Sequence, residues 1–125
     1  MKLAYISFDQ VPTSKGAATH IEAFVRGLAA EFGSVDLVTV SSSSCVEGPC
    51  ERWPSVIHWE LPALGVSLIE RVLYFRGFLT RWLEDRDFDV IHFRSNFEGM
   101  PILKHRKNAG LIFEVNGLPS IELKY

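Results

Sequence analysis

The chain predicts an α/β fold in which a parallel sheet carries helices on both faces. Three observations support this. Short apolar runs of strand length alternate with longer stretches of helical periodicity. Two of those helical stretches contain a capping box near their start, and turn-forming residues separate the elements.

Residues 2–7 (Lys-Leu-Ala-Tyr-Ile-Ser) form a short apolar run bounded by turn chemistry, as a buried strand does. The turn around Gly16 follows, and Thr19-His-Ile-Glu22 supplies a capping box for a helix starting near Thr19. Ile21, Phe24, Val25, Leu28, Ala29 and Phe32 recur at helical spacing until Gly33 stops them. Residues 34–40 read as the second strand. Residues 41–54 hold four serines and a Gly/Pro/Cys segment without periodicity, and read as a loop. Residues 56–61 form a third strand, placed near the sheet edge and ended by Pro62. Ser67-Leu-Ile-Glu70 is a second capping box, opening a helix that runs to about residue 85. Residues 88–93 are the fourth strand, 96–107 a short helix and 110–115 the fifth strand. With right-handed crossovers, this order gives one doubly wound, three-layer, Rossmann-like domain over residues 1–125.

The second long helix has an unusually wide apolar set, from Leu68 and Ile69 to Trp82 and Leu83. One reading buries it against the sheet and a neighbouring helix. Another uses Arg71, Arg76, Arg81 and Arg86 for contact with a membrane surface or a partner, and self-association through this helix is a further reading.

Composition narrows the function classes. A net charge of -2 without runs of like charge argues against a nucleic-acid partner. No apolar stretch approaches the roughly 20 residues that span a bilayer, and Met1-Lys2 leads straight into a strand, so a cytoplasmic location is expected. Cys45 and Cys50 are expected to be free thiols, since a zinc site needs two more ligands at suitable spacing. No metal or cofactor site is therefore expected.

In a doubly wound sheet, ligand groups gather at the carboxyl ends of the strands. Three segments fall there: Lys15, Gly16 and Ala17 after the first strand; Arg94, Ser95 and Asn96 after the fourth; and Asn116-Gly117 after the fifth. Gly16 either makes a plain turn or lets the backbone approach a ligand beside free helix N–H groups. His20 is either an exposed helix residue or a hydrogen-bonding group at the mouth, and His92, inside a strand, reads as a core histidine. The G-x-G-x-x-G, GxxxxGK[ST] and G-x-S-x-G motifs are absent, which disfavours a dinucleotide dehydrogenase, a P-loop enzyme and an α/β-hydrolase.

The opening Met1-Lys-Leu-Ala-Tyr-Ile-Ser7, the Ser14-Lys-Gly-Ala-Ala-Thr-His20 segment, Phe88-Asp-Val-Ile-His92 and Glu114-Val-Asn-Gly-Leu-Pro119 occur in an order that resembles the N-terminal domain of a family-four (group 1) glycosyltransferase of the GT-B fold. The resemblance implies a retaining transfer of sugar from a nucleotide-sugar donor to a glycan, lipid or small-molecule acceptor, without an obligatory metal. It implies that Lys15, Gly16, Ala17 and His20 lie near the donor phosphates, and that Arg94, Ser95, Asn96, Asn116 and Gly117 line the acceptor side. Asn116 stands where many relatives carry a histidine. The family's C-terminal donor-binding domain, with its E-x7-E motif, is not in this sequence, so the chain is expected to be an incomplete acceptor-side half that is inactive alone. The alternative is a stand-alone Rossmann-like binding or interaction module without catalysis.

Overall fold

A computed structural model describes residues 2–8, 16–41, 48–62, 64–94 and 96–113. The element order is β1 (Leu3–Ile6), α1 (Gly16–Phe32), β2 (Val35–Val40), β3 (Cys50–Trp53), β4 (Val56–Leu61), α2 (Leu68–Glu84), β5 (Val90–Phe93), α3 (Asn96–His105) and β6 (Gly110–Phe113). Among the described residues these strands make one sheet in the order β3-β4-β2-β1-β5-β6. Every pairing is parallel except β3 with β4. The predicted Rossmann-like α/β architecture is therefore present, with one antiparallel strand added at an edge.

That strand corrects the reading of 41–54 as loop throughout. Cys50-Glu-Arg-Trp53 lacks the apolar alternation that marks a strand, and its pairing comes instead from a tight turn at Pro54-Ser55. Ser55 takes the left-handed conformation (φ 63°), and its N–H donates to the Glu51 carboxylate at 2.9 Å. As a result β4 lies inside the sheet, where it was expected near the edge.

Strand alternation separates two cores. Ala4, Ile6, Val38, Val40, Ile91 and Phe93 face α2 and α3, where Phe75, Leu79, Trp82 and Ile102 meet them. Leu3, Tyr5, Val35, Leu37 and Val56 face α1, through Ile21, Val25 and Ala29. The helices thus lie on both faces, as the right-handed crossover requires.

α1 begins at Gly16, three residues before the expected cap at Thr19, so Thr19 and His20 lie inside the helix and His20 is one turn from its start. Gly16-Ala-Ala continues the helical geometry, and the local capping pattern does not set the boundary. The C-terminal stop is as expected, with the Gly33 N–H donating to the Ala29 carbonyl at 2.9 Å. The second capping box is formed as written: Ser67 Oγ accepts from the Glu70 N–H at 3.2 Å and donates to the Glu70 carboxylate at 3.3 Å.

Gly65 sets the entry angle into α2. Its φ is +102°, and a Cβ there would lie 2.6 Å from Glu70 Cβ and 3.0 Å from the Arg71 nitrogen. Neither neighbour is the free end of a flexible side chain. Gly65→Ala is expected to destabilise the domain by roughly 1–3 kcal/mol, read as a lower urea midpoint. An unchanged midpoint would mean that residues 64–67 shift without strain.

Candidate functional site

After β1 the chain moves to β2 on one side, and after β5 it moves to β6 on the other, although β1 and β5 are neighbours. The connections therefore diverge between β1 and β5 and leave a crevice at their carboxyl ends. Helices in this topology run antiparallel to the strands. The N-termini of α1 and α3, at Gly16 and Asn96, thus approach the crevice from opposite faces of the sheet. Each presents backbone N–H groups without an intrahelical acceptor and the positive end of a helix dipole.

An aromatic stack holds α1 over this switch point. The His92 ring on β5 lies 4.7 Å from Tyr5 on β1, stacked at 26°, and 4.8 Å from Phe24 on α1, edge-on at 66°. His20 extends the series toward solvent, 6.0 Å from Phe24. His92 is thus the core histidine expected, and it packs the middle of α1, at Phe24, against β1 and β5.

Among the expected site residues, Gly16 and Ala17 open α1, His20 is exposed one turn along, and Asn96 opens α3. Arg94 follows β5 at the crevice and is half-buried. Lys15, Ser95, Asn116 and Gly117 lie outside the described residues, as does Cys45. Cys50 begins β3 with its thiol exposed.

The structure adds a polar layer that motif reading did not find. Ser7, Thr39, Ser41, His58 and His92 are all buried. Strand alternation puts each on the α1 face, in line with Tyr5, Leu37, Val56 and Val90. That face is therefore apolar toward the amino ends of the strands and polar toward the crevice. The signal was present in the period of two running through 35, 37, 39 and 41, but it becomes visible only once the strands are aligned.

His58 is the most constrained member. Arg52 Nε donates to its Nδ1 at 3.2 Å, so Nδ1 is an acceptor and the neutral ring carries its proton on Nε2. That proton is donated to Thr39 Oγ1 at 2.7 Å. The Arg52 guanidinium reaches on to the Glu60 carboxylate at 3.5 Å. The network ties the antiparallel edge strand β3 to β4 and β2. Burial, and then the Arg52 charge, lower the His58 pKa from 6.5 to about 4.

A shallow cleft of about 400 Å³ lined by Lys2, Asp87, Phe88, Asp89, Lys107 and Asn108 lies at the opposite, amino end of the sheet. Its charges are engaged in structure: the Lys2 N–H donates to Asp89 at 2.6 Å, and Lys107 Nζ bonds the Arg86 carbonyl at 3.0 Å and pairs with Asp87 at 3.2 Å. The switch-point crevice is the better candidate site.

The glycosyltransferase family 4 model matches residues 14–123. The chain belongs to that family. The domain superposes on sucrose-phosphate synthase from Thermosynechococcus elongatus with a TM-score of 0.75 at 16% identity, covering 99% of this chain and 35% of the synthase chain. A second structure of the synthase, with a shorter chain, gives a TM-score of 0.69 at 16% identity, covering 99% of this chain and 68% of that one. The family 4 domain thus spans about a third of the longer synthase chain, and at that identity the likeness is one of fold. No curated protein matches the sequence at a significant level.

The His58 network makes a signed prediction for pH. Above pH 6.5 the ring is neutral in both the folded and unfolded chain. Between 6.5 and about 4 the unfolded chain takes up a proton that the native ring refuses, so stability falls with pH across that window. The full loss is about 3 kcal/mol. In urea titrations at pH 7 and pH 4.5, His58→Gln should lose less stability on acidification than the wild type. Equal losses in the two proteins would show that His58 does not couple folding to pH.

Proposed function

We propose that this family 4 domain is the acceptor-side half of a two-domain glycosyltransferase that moves a sugar from a nucleotide-sugar donor with retention of configuration. The observation that carries the reading is the convergence of two helix N-termini on the β1/β5 crevice in a chain of this family. In the reaction, the bond from the sugar to the diphosphate breaks and negative charge accumulates on the departing nucleoside diphosphate. The first-turn N–H groups of α1 suit that charge: they are fixed before the reaction and cost no reorganisation during it.

Gly16, without a Cβ, lets a diphosphate approach the start of α1, with Lys15 and Ala17 beside it and His20 one turn further. Arg94, Ser95, Asn96, Asn116 and Gly117 form the acceptor side in this reading. The side-chain amides of Asn96 and Asn116 suit sugar hydroxyls, since each offers a donor and an acceptor. Lys15 and the helix end supply positive charge, so the reading requires no metal cofactor. A C-terminal domain closes the other wall, and without it the half-cleft neither surrounds the developing positive charge on the sugar nor excludes water. The domain alone is accordingly inactive.

The direct test is calorimetric titration with UDP-, GDP- and ADP-sugars, first on this domain and then on the domain joined to a complementing C-terminal half. Binding and turnover confined to the joined protein are expected. A folded, monodisperse sample that stays silent in both states would favour a binding module without catalysis. In the joined enzyme, Gly16→Val should lower kcat/KM on the order of a hundredfold and leave the thermal midpoint nearly unchanged. Full turnover in that variant would remove this loop from the donor site.

A further inference from the structure

The sheet ends differently on its two sides. At one side β3 carries Glu51 and Arg52, a register shift between Glu51 and Trp53, and Pro54 directly after its last residue. Charge, irregularity and proline are the devices that keep an edge strand from pairing with another chain. At the other side β6 is Gly110-Leu-Ile-Phe113, with no charge, no proline and no register shift against β5. Such a run, apolar on both faces, has the composition of a strand inside a parallel sheet. Yet Ile112 is 49% exposed and Phe113 43%, and among the described residues no strand pairs with the outer edge.

Backbone direction fixes what that edge offers. The Gly110 N–H donates to the Asp89 carbonyl at 2.8 Å, so Gly110 and, two residues on, Ile112 turn their peptide groups toward β5. Leu111 and Phe113 therefore turn their N–H and C=O groups outward. Their side chains lie on the α3 face, where the Phe113 ring packs 5.1 Å from Phe93. Ile112 lies on the α1 face, in register with His92.

We propose that β6 pairs antiparallel with β6 of a second copy across a twofold axis at Ile112, joining two six-stranded sheets edge to edge. In that register Leu111 faces the partner's Phe113, and Phe113 faces the partner's Leu111. Each pair exchanges both of its N–H···O bonds, so every outward group of the two residues is satisfied. On the α3 face each pair sets a leucine against an aromatic ring, and on the α1 face Ile112 meets the partner's Ile112.

Two observations select a second copy as the occupant. The edge is complementary to itself in this register, in hydrogen bonding and in side-chain pairing alike. Residues 110–113 also carry no charge, so the twofold opposes no like charges. Self-association through α2 would instead gather the exposed Arg71 and Arg81 of both copies at one interface. Because the paired strands run in opposite directions, the two β1/β5 crevices open at opposite ends of the joined sheet. The inference stands apart from the transfer reading, and its test uses no sugar.

The test is sedimentation equilibrium of the chain over a concentration series, with a reductant present so that Cys50 cannot cross-link copies. A monomer–dimer equilibrium that stops at two is expected. Ile112→Lys places two ammonium groups on the axis and should weaken the dimer about a hundredfold or more, with the circular dichroism of the wild type. Ile112→Glu should do the same, and an equimolar mixture of the two variants should regain the dimer. If the lysine variant fails to fold, Leu111→Pro takes its place: it removes an outward N–H and no bond to β5, and should also give monomer. Cys50→Lys, at the other edge, should leave the dissociation constant unchanged. A wild-type chain that stays monomeric at the highest concentration overturns the proposal. So does a dimer that a folded Ile112→Lys variant leaves intact, one that Cys50→Lys dissociates, a mixture of the two Ile112 variants that stays monomeric, or growth past two copies.

Discussion

The rest of the architecture depends on β1. Its four residues are all buried, it pairs on both edges, and its two faces feed two separate cores. A strand so enclosed has one workable register, because a slip of one residue would exchange Tyr5 and Ile6 between cores of different shape. With β1 fixed, the chain must leave it toward β2 and return on its other side as β5. The crevice between them follows from that path. The site is therefore a consequence of chain topology before any side chain in it is considered.

The α1 face shows how the same layer serves both packing and chemistry. Toward the amino ends of the strands it is closed by Leu3, Val25, Ala29 and Val35. Toward the crevice it turns polar, and His58 there is held by Thr39 and Arg52. Buried polar networks rigidify a site when they are complete. The His92–Tyr5–Phe24 stack joins β5 and β1 to the middle of α1, and the His58 network joins β2 and β4 to the edge strand β3.

α2 divides along its length. Its later turns are anchored by Trp82, which packs against Phe88 and Trp59, with the Arg86 guanidinium over both indoles at 4.5 and 4.7 Å. In its first two turns Val72 and Phe75 are buried, whereas Leu68, Ile69, Leu73 and Tyr74 are exposed. The wide apolar set was plain in the sequence, but which residues are buried depends on where the sheet ends beneath the helix.

The sequence by itself determined the layers, the parallel strands, the second capping box and the stop at Gly33, because those follow from local periodicity and from backbone groups that near neighbours satisfy. It also carried the family, through motifs in a fixed order. It did not show β3, whose Cys-Glu-Arg-Trp run has no apolar alternation and becomes a strand only by hydrogen bonding to β4. Nor did it show that Gly16 belongs to the helix, or that Ser7, Thr39, Ser41, His58 and His92 share one face. Those residues come from four strands, and only the register that buries both faces of β1 aligns them. Alignment of side chains across strands is a nonlocal property: it is set by packing between segments far apart in the chain, and so only the tertiary structure decides it.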